Sequence, residues 1–167
     1  PHASSSLDPA IRGTVQAPPE YLAAYPEGTD IRENRRRGYM AATTCMDKSI
    51  GNVLNLVDSL GLEQNTIVIF FSDNGGGTGS VNTPLRGGKA TMWEGGLRVP
   101  CIIKWPGRIK KGMVIDNFVS SLELFPTILE VAGVAKPESL ILDGFSILPL
   151  LREEKDLERT EMYWDFR

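Results

Sequence analysis

Four side chains in this 167-residue sequence have the type and setting to do chemistry: Asp73, Asn74, Lys89 and His2. Asp73 and Asn74 follow the apolar run Thr66-Ile67-Val68-Ile69-Phe70-Phe71 and precede Gly75-Gly76-Gly77. A carboxylate and an amide carbonyl are hard oxygen donors of the kind Ca²⁺ or Mg²⁺ prefers, and neither is a first choice for zinc. Glycines there let the backbone turn sharply and approach a ligand closely. Lys89 stands in a second glycine-laced stretch, Arg86-Gly87-Gly88-Lys89-Ala90-Thr91-Met92-Trp93-Glu94-Gly95-Gly96. An ammonium on a flexible stem can offset charge on a sulfate or phosphate oxygen as a leaving group departs. Together the two stretches suit a divalent cation beside an anionic oxyester, which points to hydrolysis of sulfate or phosphate esters. Taken singly, each keeps a plainer reading: Asp73-Asn74-Gly75 as a turn, and Lys89 as a solvated loop lysine.

Neighbouring motifs narrow the chemistry. A phosphate-binding Walker A loop would need Gly at position 83 and Ser or Thr after Gly88-Lys89, and these positions hold Thr83 and Ala90. His2 is the single histidine, and no Gly-x-Ser-x-Gly elbow is present, so a Ser-His-Asp mechanism is excluded as a working reading. As a residue near the start of the chain, His2 is open to either an exposed or a substrate-contacting role. Glu94 and Arg98, four residues apart, are expected to form a structural ion pair. Arg86 is read as a rim charge, and Trp93 and Trp105 as packing residues.

The elements that must position these residues follow from local patterns. Asp30-Ile31-Arg32-Glu33 has capping-box form. Tyr39, Ala42, Met46, Ile50, Val53, Leu54, Val57 and Leu60 then recur at helical spacing, and Gly61 is placed to end the helix. Thr66 to Phe71 is an unbroken β-branched and aromatic run, the mark of a parallel strand covered on both faces. Asp73 and Asn74 would lie beyond its carboxyl end, where open α/β sheets collect ligands. Val99 to Trp105 reads as a second strand with Pro100 at its start, and Ser121 to Ala132 as a helix stopped by Gly133. Ile147 to Leu151 is a short apolar piece, Arg152 to Glu161 a charged solvated stretch, and Met162 to Phe166 the beginning of a last strand. Helix, strand and helix in this order make an α/β sandwich.

The bulk numbers exclude several classes. The chain is 41% hydrophobic and 23% charged with a net charge of −3, so no nucleic-acid partner is expected, and Arg35-Arg36-Arg37 is too short a run to reverse that. No apolar run approaches the roughly 20 residues of a membrane span. Cys45 and Cys101 match no metal spacing and are read as buried apolar filler in preference to a disulfide. The chain begins at Pro1 and holds no Asn-x-Ser/Thr sequon. From these we expect a fragment, with a bacterial periplasmic or secreted source favoured over a lysosomal one.

Taken together, the motifs resemble the sulfatase family. Gly61-Leu62 with Asn65-Thr66, the apolar strand, and Ser72-Asp73-Asn74-Gly75 come first. Gly87-Gly88-Lys89-Ala90-Thr91 and Glu94-Gly95-Gly96-Leu97-Arg98-Val99-Pro100 follow in order. Lys104-Trp105-Pro106-Gly107, Leu124-Phe125-Pro126-Thr127 and Leu142-Asp143-Gly144 complete a similarity that runs from about Gln16 to the end of the chain. It is closest to the branch that includes arylsulfatase A and N-acetylgalactosamine-6-sulfatase.

The resemblance implies an alkaline-phosphatase-like α/β sandwich with a mostly parallel central sheet between helices, incomplete at the N-terminus. It implies one catalytic domain over 1–167: a loop-rich lead-in (1–29), core helices and strands (30–151), and the start of a C-terminal region (152–167). It implies a Ca²⁺-assisted sulfuric ester hydrolase acting on a sulfated small molecule or sulfated glycan. Asp73 and Asn74 fall at two calcium-ligand positions of the family, Lys89 at a sulfate-contacting lysine, and His2 at a substrate-contacting histidine. The family's nucleophile, formylglycine made within Cys/Ser-x-Pro-x-Arg, matches neither Cys45 nor Cys101. It is expected upstream of this chain, together with a pair of calcium-binding aspartates. A chain lacking these parts is expected to be inactive alone and to associate through uncovered apolar surface. Two alternatives remain at this stage: a phosphodiesterase or phosphomonoesterase of the same superfamily, or a catalytically inactive calcium-binding module.

Overall fold

Asp30 caps the long helix as its sequence predicts. A computed structural model describes residues 15–157, 159 and 161–165, and in it α2 spans Ile31–Ser59 after a short α1, Pro19–Leu22. The Asp30 carboxylate accepts the Glu33 N–H at 2.8 Å. Glu33 reaches back one residue further than a capping box requires, accepting the Thr29 N–H at 2.7 Å. At the other end Gly61 takes a φ of +67°. The N–H groups of Gly61 and Leu62 return to the carbonyls of Asp58 and Val57, a Schellman closure that satisfies two orphan acceptors.

The chain divides into two compact units. The first holds α1, α2 and residues Ile69–Ile102. Arg37 ties α1 to α2 there, donating to the carbonyls of Tyr25 at 3.0 Å and Leu22 at 3.1 Å. The same unit contains the four-residue α3, Glu94–Leu97. Strand β1, Val68–Phe71, pairs with β2, Cys101–Lys104.

That pair is antiparallel, whereas the unbroken apolar run Thr66–Phe71 taken alone suits a parallel neighbour. The Ser72 N–H meets the carbonyl of Pro100 at 3.4 Å, so the chain returns along its own path. Parallel neighbours need a crossover of a dozen or more residues, usually helical. Here the connection offers only α3 and otherwise runs as loop. Both strands are shorter than their apolar runs, and Phe71 and Ile102 remain 42% and 62% exposed.

The stripe on α2 is likewise open: Met46, Val53 and Leu60 are exposed, and the helix buries only Gly38 and Ala41. This is apolar surface of the kind the expected self-association requires. Cys45 and Cys101 are free thiols, Cys45 half-buried and Cys101 exposed, so neither is the fully buried filler expected. Partial desolvation of its sulfur still pushes the Cys101 thiol above its ordinary range.

The second unit comprises Glu63–Val68 and the chain from Ile103 onward. Ser121–Glu123 is a 3₁₀ turn leading into α4, Leu124–Val131. The N–H groups of Gly133 and Val134 close α4 on the carbonyls of Glu130 and Leu129. Ile147, Leu150 and Leu151 of α5 (Leu148–Leu151) and its approach form the core, packed by Ile103, Ile109, Ile115, Val119 and Phe145. Glu123 is fully buried in this unit. It accepts the Ser120 N–H at 2.6 Å and an Arg159 guanidinium N–H at 2.6 Å. Residues 161–165 form no strand, contrary to the expectation for Met162 onward.

Candidate functional site

The two glycine stretches form one interlocked loop pair beyond β1. The Gly75 N–H donates to the carbonyl of Gly96 at 2.9 Å, the Lys89 N–H to Gly76 at 3.1 Å, and the Gly95 N–H to Arg86 at 2.7 Å. The backbones approach so closely that side chains are excluded. A methyl on Gly75 would collide with the Gly95 carbonyl oxygen, and one on Gly95 with the carbonyls of Gly87 and Arg86. Glycine is therefore required at both positions for space.

Asn82 holds the pair from a third point. Its Nδ2 donates to the carbonyls of Gly76 at 2.9 Å and Gly87 at 3.2 Å, and its Oδ1 accepts the Gly76 N–H at 3.1 Å. The amide is thus used on both its donor and acceptor sides. Sequence reasoning missed Asn82. The available signal was an amide with both kinds of hydrogen-bonding group lying between two glycine-rich loops.

Asp73 is exposed and Asn74 half-buried on the first turn of this loop, which the Ser72 hydroxyl closes by donating to the Asn74 carbonyl at 2.9 Å. The Lys89 stem lies against Gly77: a Cβ placed there would stand 3.5 Å from Lys89 Cδ. The fold thus brings Lys89 to the loop that begins with Asp73 and Asn74. Among the described residues, Asp73, Asn74 and Lys89 make no side-chain hydrogen bond or ion pair. His2 lies outside the described residues.

The next residue, Ala90, has a φ of +65°, a left-handed conformation that costs an L-residue about 1–2 kcal/mol. The Thr91 hydroxyl pins the turn by donating to the Gly88 carbonyl at 2.7 Å. Glu94 and Arg98 form the expected ion pair at 3.0 Å on the exposed face of α3. Arg86 lies 3.5 Å over the Trp93 ring, so the rim charge and the packing residue act on each other.

The donor set fits a hard cation in kind. Asp73 and Asn74 supply a carboxylate and an amide oxygen, and no group of three or more His, Cys, Asp or Glu side chains arranged for a metal occurs among the described residues. Two donors are fewer than the six to eight oxygens Ca²⁺ takes. No helix among the described residues is long and apolar enough to cross a membrane.

Residues 2–134 match the family described as Sulfatase. Human steryl-sulfatase is 42% identical over 138 residues, which cover 77% of this chain and 24% of that protein. Mouse N-acetylgalactosamine-6-sulfatase is 36% identical over 152 residues, covering 87% of this chain and 28% of that one. Among solved structures, Ps i-CgsB in complex with k-i-k-neocarrahexaose superposes with a TM-score of 0.78 at 31% identity. That match covers 85% of this chain and 31% of that one. The chain therefore spans about a quarter to a third of the length of these relatives.

Proposed function

This chain belongs to the sulfatase family, and we propose that the gene product carrying it hydrolyses a sulfate ester to an alcohol and inorganic sulfate. The ester S–O bond breaks and the oxygen of water ends on sulfur. One proton of the water goes to the departing alkoxide and the other leaves with the sulfate. The substrate class is a sulfated small molecule or sulfated glycan.

The observation that carries this reading is the attachment of Lys89 to the loop that begins with Asp73 and Asn74, through its backbone bond to Gly76 and its stem against Gly77. In this reading Asp73 and Asn74 are two ligands of a calcium ion. Bound there, the ion would supply a fixed positive charge that polarises a sulfate oxygen. Further oxygen donors would come from outside the described residues. The Lys89 ammonium binds a second sulfate oxygen and offsets charge as the alcohol leaves. His2 is assigned a second contact to the ester, and the attacking group is assigned to a part of the gene product outside this match.

The test is hydrolysis of 4-nitrophenyl sulfate and 4-nitrophenyl phosphate by the full-length gene product. Faster turnover of the sulfate supports the reading. Preference for the phosphate moves the protein to the phosphoesterases, and turnover of neither leaves a binding module.

A further inference from the structure

We infer that Arg32, Arg35 and Arg36, at one wall of a cavity of about 370 Å³ beside the Lys89 loop, form a second anion site that takes another sulfate group on the same substrate. The inference rests on the sulfatase reading above and names a feature of its substrate: more than one sulfate on the sugar.

Arg32, Arg35 and Arg36 stand at i, i+3 and i+4 on α2, so their side chains share one face of the helix. The opposite wall is Thr78, Gly79, Ser80 and Val81. The adjacent Arg37 shows what a structural arginine does here: it bonds two backbone carbonyls and lies 3.8 Å from Glu27. Among the described residues the other three make no ion pair and no side-chain hydrogen bond, and Arg35 Nε is buried without a partner.

Local physics opposes this cluster. Like charges at helical spacing destabilise a helix by a few tenths of a kcal/mol per pair, and Arg32 sits in the first turn, where the helix dipole disfavours a cation. Asp30 and Glu33 favour the helix dipole at that end, but no side chain among the described residues pairs with any of the three guanidinium groups. A bound anion would, since guanidinium forks match the oxygens of an oxyanion in paired hydrogen bonds.

The placement fits one substrate reaching both sites. Thr78 directly follows Gly77, which flanks the Lys89 stem. Ser80 folds back on the same turn, its N–H 3.1 Å from the carbonyl of Gly77. Gly79 closes the path to the helix, because a Cβ there would stand 2.8 Å from the Arg35 carbonyl oxygen. The volume lies within the range of small-ligand sites. The arginines and Lys89 thus border one turn, the arginines across from Thr78–Val81 and the Lys89 stem against Gly77.

The test measures binding of non-hydrolysable sulfonate analogues of 6-O-sulfated and 2-N,6-O-disulfated glucosamine by calorimetry, using the full-length gene product and R32Q/R36Q. Both substituted side chains are exposed, and circular dichroism checks that the helix is kept. The wild type is expected to bind the doubly charged analogue at least about tenfold more tightly, an advantage that falls to about twofold or less in R32Q/R36Q. An advantage that survives the substitutions, or is missing from the wild type, overturns the inference. Hydrolysis of 4-nitrophenyl sulfate, measured alongside, separates the two readings. Cleavage without the arginine-dependent preference refutes the second site alone. The preference without cleavage refutes the hydrolase reading alone.

Discussion

The backbone N–H of Lys89 donates to the carbonyl of Gly76 at 3.1 Å, so the lysine is positioned by the loop that carries Asp73 and Asn74. The relation is made by main chain and survives any change in the lysine side chain. Substituting Lys89 therefore tests its ammonium without dismantling the loop.

The loop pair itself is tested at Gly95. A methyl there meets two backbone carbonyls, one of them at 2.7 Å, and neither can move independently of its loop. Gly95→Ala is expected to cost at least about 1–3 kcal/mol and to lower the denaturation midpoint. Gly51, inside α2 with nothing within 4 Å of its missing Cβ, is the control. Gly51→Ala is expected to add about 0.5–1 kcal/mol. Equal midpoints for Gly95→Ala and the wild type would mean that the loops do not interlock as described.

Ala90 offers a test of opposite sign. With a φ of +65° its Cβ is a liability, so Ala90→Gly is expected to be neutral or to stabilise by about 1 kcal/mol. Ala90→Val, with a branched Cβ, is expected to destabilise by about 1–2 kcal/mol. Urea denaturation of the two variants checks this. A destabilising Ala90→Gly would contradict the left-handed conformation.

Much of this was legible because it is local. The Asp30 cap, the Gly61 closure and the juxtaposition of Asp73 with a strand end follow from chemistry within a few residues. Strand sense was not legible, because Thr66–Phe71 has the same apolar content whichever way its neighbour runs, and only the loop after Ser72 determines the return. Exposure on α2 was hidden for a similar reason. The apolar stripe marks which face wants cover, while Val53 at 62% exposed shows that the described residues do not supply it. Glu123 was missed although Ser120 and Glu123 have capping-box spacing. Its ionic partner is Arg159, 36 residues away.

That buried pair gives a stability prediction. Glu123 is fully buried and lies 2.6 Å from Arg159, whose side chain is only 15% exposed. Glu123→Ala removes the acceptor of the Ser120 N–H and leaves a mostly buried guanidinium without its carboxylate. The expected loss is about 3–5 kcal/mol, read as a fall in the denaturation midpoint. A loss below about 1 kcal/mol would show that water takes over both roles.

Asp73 separates calcium binding from turnover. Its side chain is exposed, so Asp73→Ala should change the stability of the metal-free protein by no more than about 0.5 kcal/mol. A ligand that binds the folded state raises its melting temperature. Calcium is therefore expected to raise the Tm of the wild-type gene product and to lose most of that effect in Asp73→Ala. An equal rise in both would remove Asp73 from the ligand set.

The most direct measurement is kcat/KM for 4-nitrophenyl sulfate with the full-length gene product and its Lys89→Ala variant, both checked for equal thermal stability. A fall of about 10²–10³-fold is expected, the usual scale for losing one electrostatic stabiliser of the transition state. A variant that keeps near-normal kcat/KM would make Lys89 a solvated loop residue and contradict the assignment of this loop pair as the sulfate site.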